Sequence, residues 1–371
     1  MSVQVSYKKQ FILGIFLIIL VLFVIELFSQ TYYFQKSEDC FLIDRNVYAN
    51  LTEKSKKQIC HDLNDLLFFD NGKFVEILPN QNYQTITINS DGFRGTEITE
   101  LTSNNKLKIF VVGGSTVFGW ASTSDNTTIP SYLQEFFDKE SDLQVQVVNV
   151  GMPDAWSFTE LNIIKQEILQ YEPDIIVVYD GWNDVNKSLK KWLNHIEIKN
   201  TIHDEISQVN VDNSIRKILS NFKTTTLVRS LSSYFEESSD QTAHIRAHGE
   251  YANDMAKEWS DNIKKICNLG KTENFKTVII LQPLLGTGNL GLTEFEKKLV
   301  SHYNHDGLLN SYHLFEKSLE PLQEHCTLTS NYLDVFDNEN YPIFYDSGHT
   351  TDDGNKLVAK RMFNSLMSII R

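Results

Sequence analysis

The chain has 371 residues, 41% of them hydrophobic, and carries a formal net charge of −14. That length can supply a sizeable core for one large domain or two small ones. The acidic balance argues against nucleic acid as a partner, because phosphate backbones require a basic surface. For the same reason, any membrane contact should be hydrophobic rather than electrostatic.

The first predicted element is an apolar helix near the N-terminus. Phe11 to Phe28 is almost wholly apolar, close to the roughly 20 residues that span a bilayer. Because Lys8 and Lys9 precede it, residues 1–9 should stay in the cytoplasm, residues 10–31 should form a single-pass anchor, and the remainder should be extracytoplasmic. A cleaved signal peptide is the alternative, but its apolar core is usually about 7–15 residues and small residues follow it. We therefore predict that the anchor is retained.

Residues 32–104 are predicted to form a stalk and an N-terminal extension. From about residue 30 to residue 80 the sequence is polar and mixed without a clear period, which favours irregular structure. Tyr83 to Ile88 alternates β-branched and polar residues and predicts a half-buried strand. Asn89 to Gly92 predicts a turn.

Four cysteines follow the apolar run, in agreement with export: Cys40, Cys60, Cys267 and Cys326. They allow three pairings, of which Cys40–Cys60 with Cys267–Cys326 is the most local. Four free thiols are the alternative. None has the spacing of a metal site such as Cys-x-x-Cys. Sequons, relevant only if the host glycosylates exported chains, begin at Asn50, Asn126 and Asn186.

From residue 105 to residue 371 short apolar strands alternate with amphipathic helices. The predicted strands are Leu107–Val112, Val145–Val150, Asp174–Tyr179, Thr277–Leu281 and Tyr332–Val335. The predicted helices are Thr128–Phe137, Phe158–Leu169 and Asn355–Ile370. Near-continuous apolar strands are typical of a parallel sheet covered on both faces. The sequence therefore predicts an α/β fold, a three-layer α/β/α domain with a flavodoxin-like five-stranded parallel sheet.

A long interval, about Val185 to Lys276, separates the third strand from the fourth and exceeds an ordinary crossover connection. Two helical stretches are predicted in it, around Ser214–Leu231 and His244–Leu269. The second should be a layer helix of the domain. The first should belong to an insertion at about residues 185–245, above the carboxyl ends of the strands, where ligands bind in such sheets.

Polar residues and glycines follow the first three of these strands. Gly113-Gly114-Ser115 follows the first, Gly151 the second and Asn183 the third, so they should meet at one sheet edge. A serine after a glycine turn suits a nucleophile, although such a turn can also bind phosphate. The N–H groups of Ser115 and Gly151 and the carboxamide of Asn183 could form an oxyanion hole. A plain turn glycine and a loop-capping asparagine are the alternatives.

Asp346 and His349 stand in a glycine-containing loop before the last helix. The carboxylate would accept one imidazole N–H, and the other imidazole nitrogen would take the proton of Ser115. A single histidine in a surface loop is usually unremarkable. The order of the serine, the glycine, the asparagine and this pair along strand ends nevertheless favours a catalytic triad.

This order resembles that of the SGNH hydrolase superfamily, also called GDSL esterases. Ser115, Gly151 and Asn183 match its first three blocks, and Asp346 with His349 matches the last, over about residues 105–370. The resemblance implies a serine esterase or deacylase that hydrolyses O-acyl bonds, with no cofactor and no metal.

Two positions before Ser115 bear on this resemblance. Gly114 stands in the place of the aspartate of Gly-Asp-Ser, and a branch of the family with Gly-Gly-Ser-Thr is similar. The stretch Asn89–Gly95 also resembles an extension found in that branch. Arg94 within it could bind a substrate anion, but a structural arginine is favoured.

The predicted activity is hydrolysis of an extracytoplasmic ester, carried by an acylated small molecule, a lipid or a glycan. An O-acyltransferase acting on cell-surface glycans is one alternative, and a non-catalytic anchored binding protein is another. Three tryptophans could line the substrate site or belong to the core: Trp120, Trp156 and Trp182. The sequence leaves the oligomeric state open.

Overall fold

The computed structural model describes residues 6–38, 40–43, 48–70, 75–99, 106–187, 249, 251–302 and 305–370. The predicted helix at Ser214–Leu231 lies outside these residues, as does most of the predicted insertion.

The secondary structure alternates between strands and helices from β5 onwards. The helices are α1 (Tyr7–Glu38), α2 (Glu53–Asp65), α3 (Ser115–Phe118), α4 (Ile129–Glu140), α5 (Ser157–Ile163), α6 (Trp182–Val185), α7 (Ala252–Glu273), α8 (Glu294–His302), α9 (His305–Leu322) and α10 (Asp352–Ile370). The strands are β1 (Phe68–Asp70), β2 (Val75–Ile77), β3 (Gln81–Asn82), β4 (Thr87–Ile88), β5 (Lys106–Gly113), β6 (Gln144–Gly151), β7 (Ile175–Asp180), β8 (Lys276–Leu281) and β9 (Leu328–Asn331).

The central sheet has five parallel strands in the order β6-β5-β7-β8-β9. Since β5 comes before β6 in the chain, this is the flavodoxin-like order, with its switch point between β5 and β7. The predicted fold class is confirmed. The carboxyl ends of β5, β6 and β7 meet at one edge, which is where the predicted site residues follow.

Two hydrophobic cores cover the two faces of the sheet, because successive side chains of a strand point to opposite sides. Ile109 and Val111 of β5 pack with residues of α4 and α10, including Phe137. Phe110 and Val112 pack on the other side with residues of α2, α5, α7 and α9. The three layers follow from this alternation.

Two predicted strands are wrong. Tyr83–Ile88 does not form one strand, because the Tyr83 N–H donates to the Ile86 carbonyl at 2.8 Å and closes a turn between β3 and β4. Tyr332–Val335 is a turn after β9, with its first and last residues hydrogen-bonded at 3.0 Å. The edge strand β9 is half-buried and mostly polar, so it lacks the apolar pattern by which strands were predicted. Tyr332 follows it and packs in the core under the sheet, which produced the apolar signal one element too late.

The segment after α1 is more ordered than its sequence predicts. Helix α2 lies in the stretch for which we predicted irregular structure, and that expectation is wrong. Its apolar side chains, such as Ile59 and Leu63, join the same core as Phe110 of β5. Because α2 buries only one face, most of its residues are polar, and its few apolar residues did not reveal a helical period in the sequence.

Two disulfides link the described cysteines in the most local pairing, Cys40–Cys60 and Cys267–Cys326. The first joins the residues directly after α1 to α2. The second joins α7 to the turn that follows α9. This confirms the pairing that the sequence favoured.

Helix α1 is the single described helix that is long and apolar enough to cross a membrane. The apolar stretch covers Tyr7–Thr31, 25 residues, and most of its large side chains are exposed. A signal sequence near an N-terminus meets the same criterion of length and composition.

Candidate active site

Ser115 lies directly after β5 as the first residue of α3. Glycine is needed at the two positions before Ser115, because the backbone there passes very close to atoms of Tyr179 and Asn183. A Cβ on Gly113 would lie 2.5 Å from the carbonyl oxygen of Tyr179, and one on Gly114 would lie 2.3 Å from Nδ2 of Asn183. The two glycines thus let the strand turn sharply and bring Ser115 to the sheet edge beside Asn183.

Three side chains form a continuous hydrogen-bonded relay at this edge. The Ser115 Oγ lies 2.7 Å from Nε2 of His349, and Nδ1 of His349 lies 2.7 Å from Oδ2 of Asp346. The side chains of His349 and Asp346 are 12% and 25% exposed. Since the carboxylate accepts from Nδ1–H, the imidazole nitrogen facing Ser115 is left as a proton acceptor.

The local loop holds Asp346 as a carboxylate. Its Oδ1 accepts from the N–H groups of Gly348 and His349, at 3.0 and 2.8 Å. Burial by itself would raise the pKa of Asp346, but the charge of His349 and these donors together outweigh it and lower that pKa below its usual value. Asp346 therefore remains ionised and can orient the imidazole.

Two aromatic rings hold the imidazole of His349. The Trp182 ring meets it edge-on at 4.7 Å, and the Tyr345 ring stacks on it at 5.4 Å, nearly parallel. Gly348 is required here, because a Cβ on it would lie 2.4 Å from the Trp182 ring. The sequence left Trp182 open between core and site. It gave no role to Tyr345, although that residue directly precedes Asp346.

The carboxamide of Asn183 lies against the turn at Gly114 that precedes Ser115. One N–H of its Nδ2 donates to the carbonyl of Ala155 at 2.5 Å, and a carboxamide nitrogen has a second N–H to donate. The N–H of Ser115 is at the start of α3, where a helix provides no intrahelical acceptor. The carboxamide nitrogen lies close to the backbone of Gly114, the residue before Ser115.

The backbone N–H of Gly151, which the sequence suggested as an oxyanion donor, has a hydrogen-bond acceptor of its own. Its N–H donates to Oδ1 of Asn149 at 3.0 Å, and a Cβ on it would lie 1.9 Å from the backbone nitrogen of Phe118. Because its N–H already has an acceptor, this geometry speaks against Gly151 as an oxyanion donor. Its role here is to let α3 pack directly on β6.

Arg94 is a structural residue, the alternative that the sequence favoured. Its buried guanidinium pairs with Asp125 at 2.8 Å and donates to the carbonyls of Phe118, Gly119 and Thr85. These bonds fasten the N-terminal extension to the loop that leaves α3. No anion site is needed to explain this arginine.

A cluster of buried carboxylates lies behind α6, and no sequence motif predicted it. Glu160 is fully buried, and Asp180 and Asp184 are nearly so. Asp184 accepts from the hydroxyl and N–H of Ser157 at 2.6 and 3.0 Å. Among the described residues, neither oxygen of Glu160 has a hydrogen-bond partner. The described residues contain no group of three or more acidic, His or Cys side chains placed to hold a metal ion.

Burial raises the pKa of Glu160, and the charge of Asp184 raises it further. Burial likewise raises the pKa of Asp180, with added contributions from Asp184 and Glu160. Buried carboxylates in contact cannot all ionise. We infer that Glu160 and Asp180 share a proton, which supplies a donor within the pair, whereas Asp180 also accepts from the Nε1–H of Trp259 at 3.2 Å.

Because of this shared proton, we expect the stability of the Glu160→Gln variant to depend on pH differently from that of the wild type. In the folded protein a carboxyl with a raised pKa keeps its proton, whereas in the unfolded chain it loses the proton above about pH 4.3. The stability of the wild type should therefore fall as pH rises from that value towards the raised pKa of the folded state. Glutamine has no such proton to lose. The Tm of the variant minus that of the wild type should grow from pH 5 to pH 8 and reach at least about 2 °C, measured by differential scanning calorimetry.

Glu320→Gln on the exposed face of α9 is the matched control, and its Tm difference should stay flat. A Glu160→Gln difference that shrinks with pH would show that Glu160 is ionised in the folded protein.

The family comparison identifies the type of domain. The sequence model of one family, described as GDSL-like lipase/acylhydrolase, matches residues 109–362. No curated protein sequence matches the chain.

Several solved structures are similar over about 70% of the chain. They include the acetyl xylan esterase AlAXEase, with 14% identity over 70% of this chain and 100% of that one, at a TM-score of 0.40. A lipase/acylhydrolase from Enterococcus faecalis shares 13% identity over 71% and 96%, at a TM-score of 0.40. The acetylxylan esterase Axe2 from Geobacillus stearothermophilus shares 12% over 70% and 94%, at a TM-score of 0.40.

Proposed function

Since the chain belongs to the GDSL-like lipase/acylhydrolase family, a family of hydrolases acting on ester bonds, we propose that it is a serine esterase with Ser115, His349 and Asp346 as its catalytic triad. The observation that carries this proposal is the relay of two 2.7 Å contacts from Ser115 through His349 to Asp346. Chain segments more than 200 residues apart form it, which a chance surface histidine would not do.

The relay defines the steps of the reaction. Nε2 of His349 takes the proton of Ser115 as Oγ attacks the ester carbonyl, and the tetrahedral intermediate forms. His349 then returns this proton to the departing alcohol, which leaves an acyl group on Ser115. Water attacks the acyl-enzyme with His349 again as base, and the acid is released.

The oxyanion of each intermediate needs donors that already point at it. The N–H of Ser115 and the second N–H of the Asn183 carboxamide fill this role. Asn183 is held for it by its bond to Ala155. Donors fixed in advance stabilise the developing charge without reorganisation during the reaction.

The proposed location follows from α1. A retained α1 would hold the domain at the membrane, and the lysines before the apolar stretch would keep the N-terminus in the cytoplasm. The disulfides Cys40–Cys60 and Cys267–Cys326 support an oxidising, extracytoplasmic compartment for the domain. The substrate is then an extracytoplasmic acylated small molecule, lipid or glycan.

A fluorophosphonate probe tests the proposal on the full-length protein in detergent. We expect one label per chain, on Ser115, in step with loss of p-nitrophenyl acetate hydrolysis. Ser115→Ala should abolish both, and Ser368→Ala, at an exposed serine of α10, should change neither. Labelling or hydrolysis that survives Ser115→Ala would refute the assignment.

A further inference from the structure

Helix α3, which begins at Ser115, is too short to hold its own position. It has four residues, and a single helical turn costs more conformational entropy than its hydrogen bonds return. The last carbonyls of any helix also have no donor within the helix. The position of Ser115 therefore depends on groups outside α3 that donate to it and to the loop that follows it.

Three buried side chains donate to four consecutive carbonyls at the end of α3. The four carbonyls belong, in chain order, to Phe118, Gly119, Trp120 and Ala121. Arg94 donates to the first two at 3.1 and 2.8 Å, Tyr345 donates to the third, and Tyr48 donates to the fourth at 2.9 Å. Arg94 and Tyr48 belong to the N-terminal extension, residues 32–104. The extension thus holds the end of the helix that carries Ser115.

The extension also contacts the ring that lies on the imidazole of His349. Tyr345 is fully buried, and its ring stacks on that of His349 with 3° between the two planes. The rings of Phe41 and Tyr48 lie 6.1 and 6.4 Å from the Tyr345 ring, within the range of about 4.5–7 Å in which aromatic rings pack. A disulfide joins Cys40, the residue before Phe41, to α2.

The imidazole needs this support because it must keep two contacts at the same time. Its nitrogens lie 2.7 Å from Ser115 Oγ and 2.7 Å from Asp346 Oδ2. The backbone of its loop is hydrogen-bonded, with the Tyr345 N–H donating to the His349 carbonyl at 3.2 Å, but a side chain can still turn about its own bonds. A fixed ring against the imidazole keeps it in the plane in which both contacts form. The packing of Tyr345 is therefore part of the relay geometry.

We propose that the N-terminal extension is a positioning element of the active site, in which Phe41 acts on His349 through Tyr345. This proposal rests on the proposed esterase function. It goes further, because Phe41 and Tyr48 precede residues 109–362, the part of the chain that the family model matches. The working catalytic unit then begins at about residue 40 and includes a segment that the sequence predicted to be a stalk.

Two esters with different leaving groups distinguish a displaced imidazole from a general loss of folded enzyme. His349 must donate a proton to the alcohol that leaves ethyl acetate, whereas p-nitrophenolate leaves p-nitrophenyl acetate without one. A displaced imidazole should therefore slow hydrolysis of ethyl acetate more, whereas a smaller folded fraction slows both reactions equally. We would measure kcat/KM for both esters with full-length protein in detergent, together with the Tm of each variant.

Phe41→Ala should lower kcat/KM roughly 100-fold for ethyl acetate and roughly tenfold for p-nitrophenyl acetate, because a displacement of about 1 Å is costly at a reacting group. Phe41→Leu keeps an apolar side chain behind Tyr345 and should recover most of this loss. Phe136→Ala on α4 is the matched control. The Phe136 ring lies 6.1 Å from that of Phe363, in the core on the other face of the sheet. This control should leave the ratio of the two kcat/KM values unchanged.

Tyr345→Leu tests the route of the effect, since it removes the ring between Phe41 and His349. Adding Phe41→Ala to this variant should change the ester ratio no further, whereas independent effects would multiply and contradict the route through Tyr345. If Tyr345→Leu does not fold, the comparison of Phe41→Ala with Phe136→Ala decides alone.

An unchanged ester ratio in Phe41→Ala overturns this inference, as does an equal change in Phe136→Ala, and both leave the esterase function standing. The esterase function itself fails, and this inference with it, if the wild type hydrolyses neither ester and Ser115 is not labelled by fluorophosphonate.

Discussion

Replacing His349 with alanine should lower kcat for ester hydrolysis by on the order of 10⁴-fold or more, with little change in KM. His349 moves a proton in both halves of the reaction, and no other described side chain lies between Ser115 and Asp346. Its loss leaves Ser115 as an ordinary hydroxyl, a weak nucleophile at neutral pH. Initial rates with p-nitrophenyl acetate and burst kinetics of acyl-enzyme formation measure the effect.

His313→Ala is the matched control, because this histidine also faces a carboxylate three residues away. Its Nδ1 lies 3.2 Å from Glu316 on the exposed side of α9. Its removal should leave kcat unchanged within twofold. Equal losses in the two variants would indicate damage to the fold rather than to the relay, and a small loss in His349→Ala alone would contradict the mechanism.

Gly114→Ala should lower kcat by about 10²- to 10³-fold, the effect of losing one oxyanion donor. The added Cβ would lie 2.3 Å from Nδ2 of Asn183 and 3.3 Å from the carbonyl of Ala155. The carboxamide must then leave its position beside Ser115, while the relay to His349 stays in place. The variant should accordingly still be labelled on Ser115 by fluorophosphonate, though more slowly, and hydrolyse p-nitrophenyl acetate slowly.

Gly291→Ala controls for the added methyl group, because a Cβ there meets nothing within 4 Å. It should match the wild type in Tm and kcat. A fully active Gly114→Ala enzyme would show that Asn183 does not stabilise the oxyanion. In this chain a side chain at Gly114 would displace Asn183.

The sequence by itself determined the parts of this protein that follow from local pattern and strand order. Apolar strands alternating with helices predicted the parallel sheet, and the carboxyl ends of parallel strands share one edge. Ser115, Asn183, Asp346 and His349 could therefore be predicted to meet without knowledge of side-chain positions. The disulfide pairing could be favoured on sequence separation alone.

Only the tertiary structure decided which groups near that edge have other partners. Gly151 lies at the carboxyl end of a strand, but Asn149 already accepts its N–H, a fact of side-chain geometry that no spacing encodes. Tyr345 stacks on His349 of its own loop and contacts Phe41 on the other side, and this second contact joins segments far apart in the chain. Such a contact arises when α2 packs on the sheet through its single apolar face. The position of α2 then fixes that of Cys40, to which it is disulfide-bonded, and of Phe41 beside it.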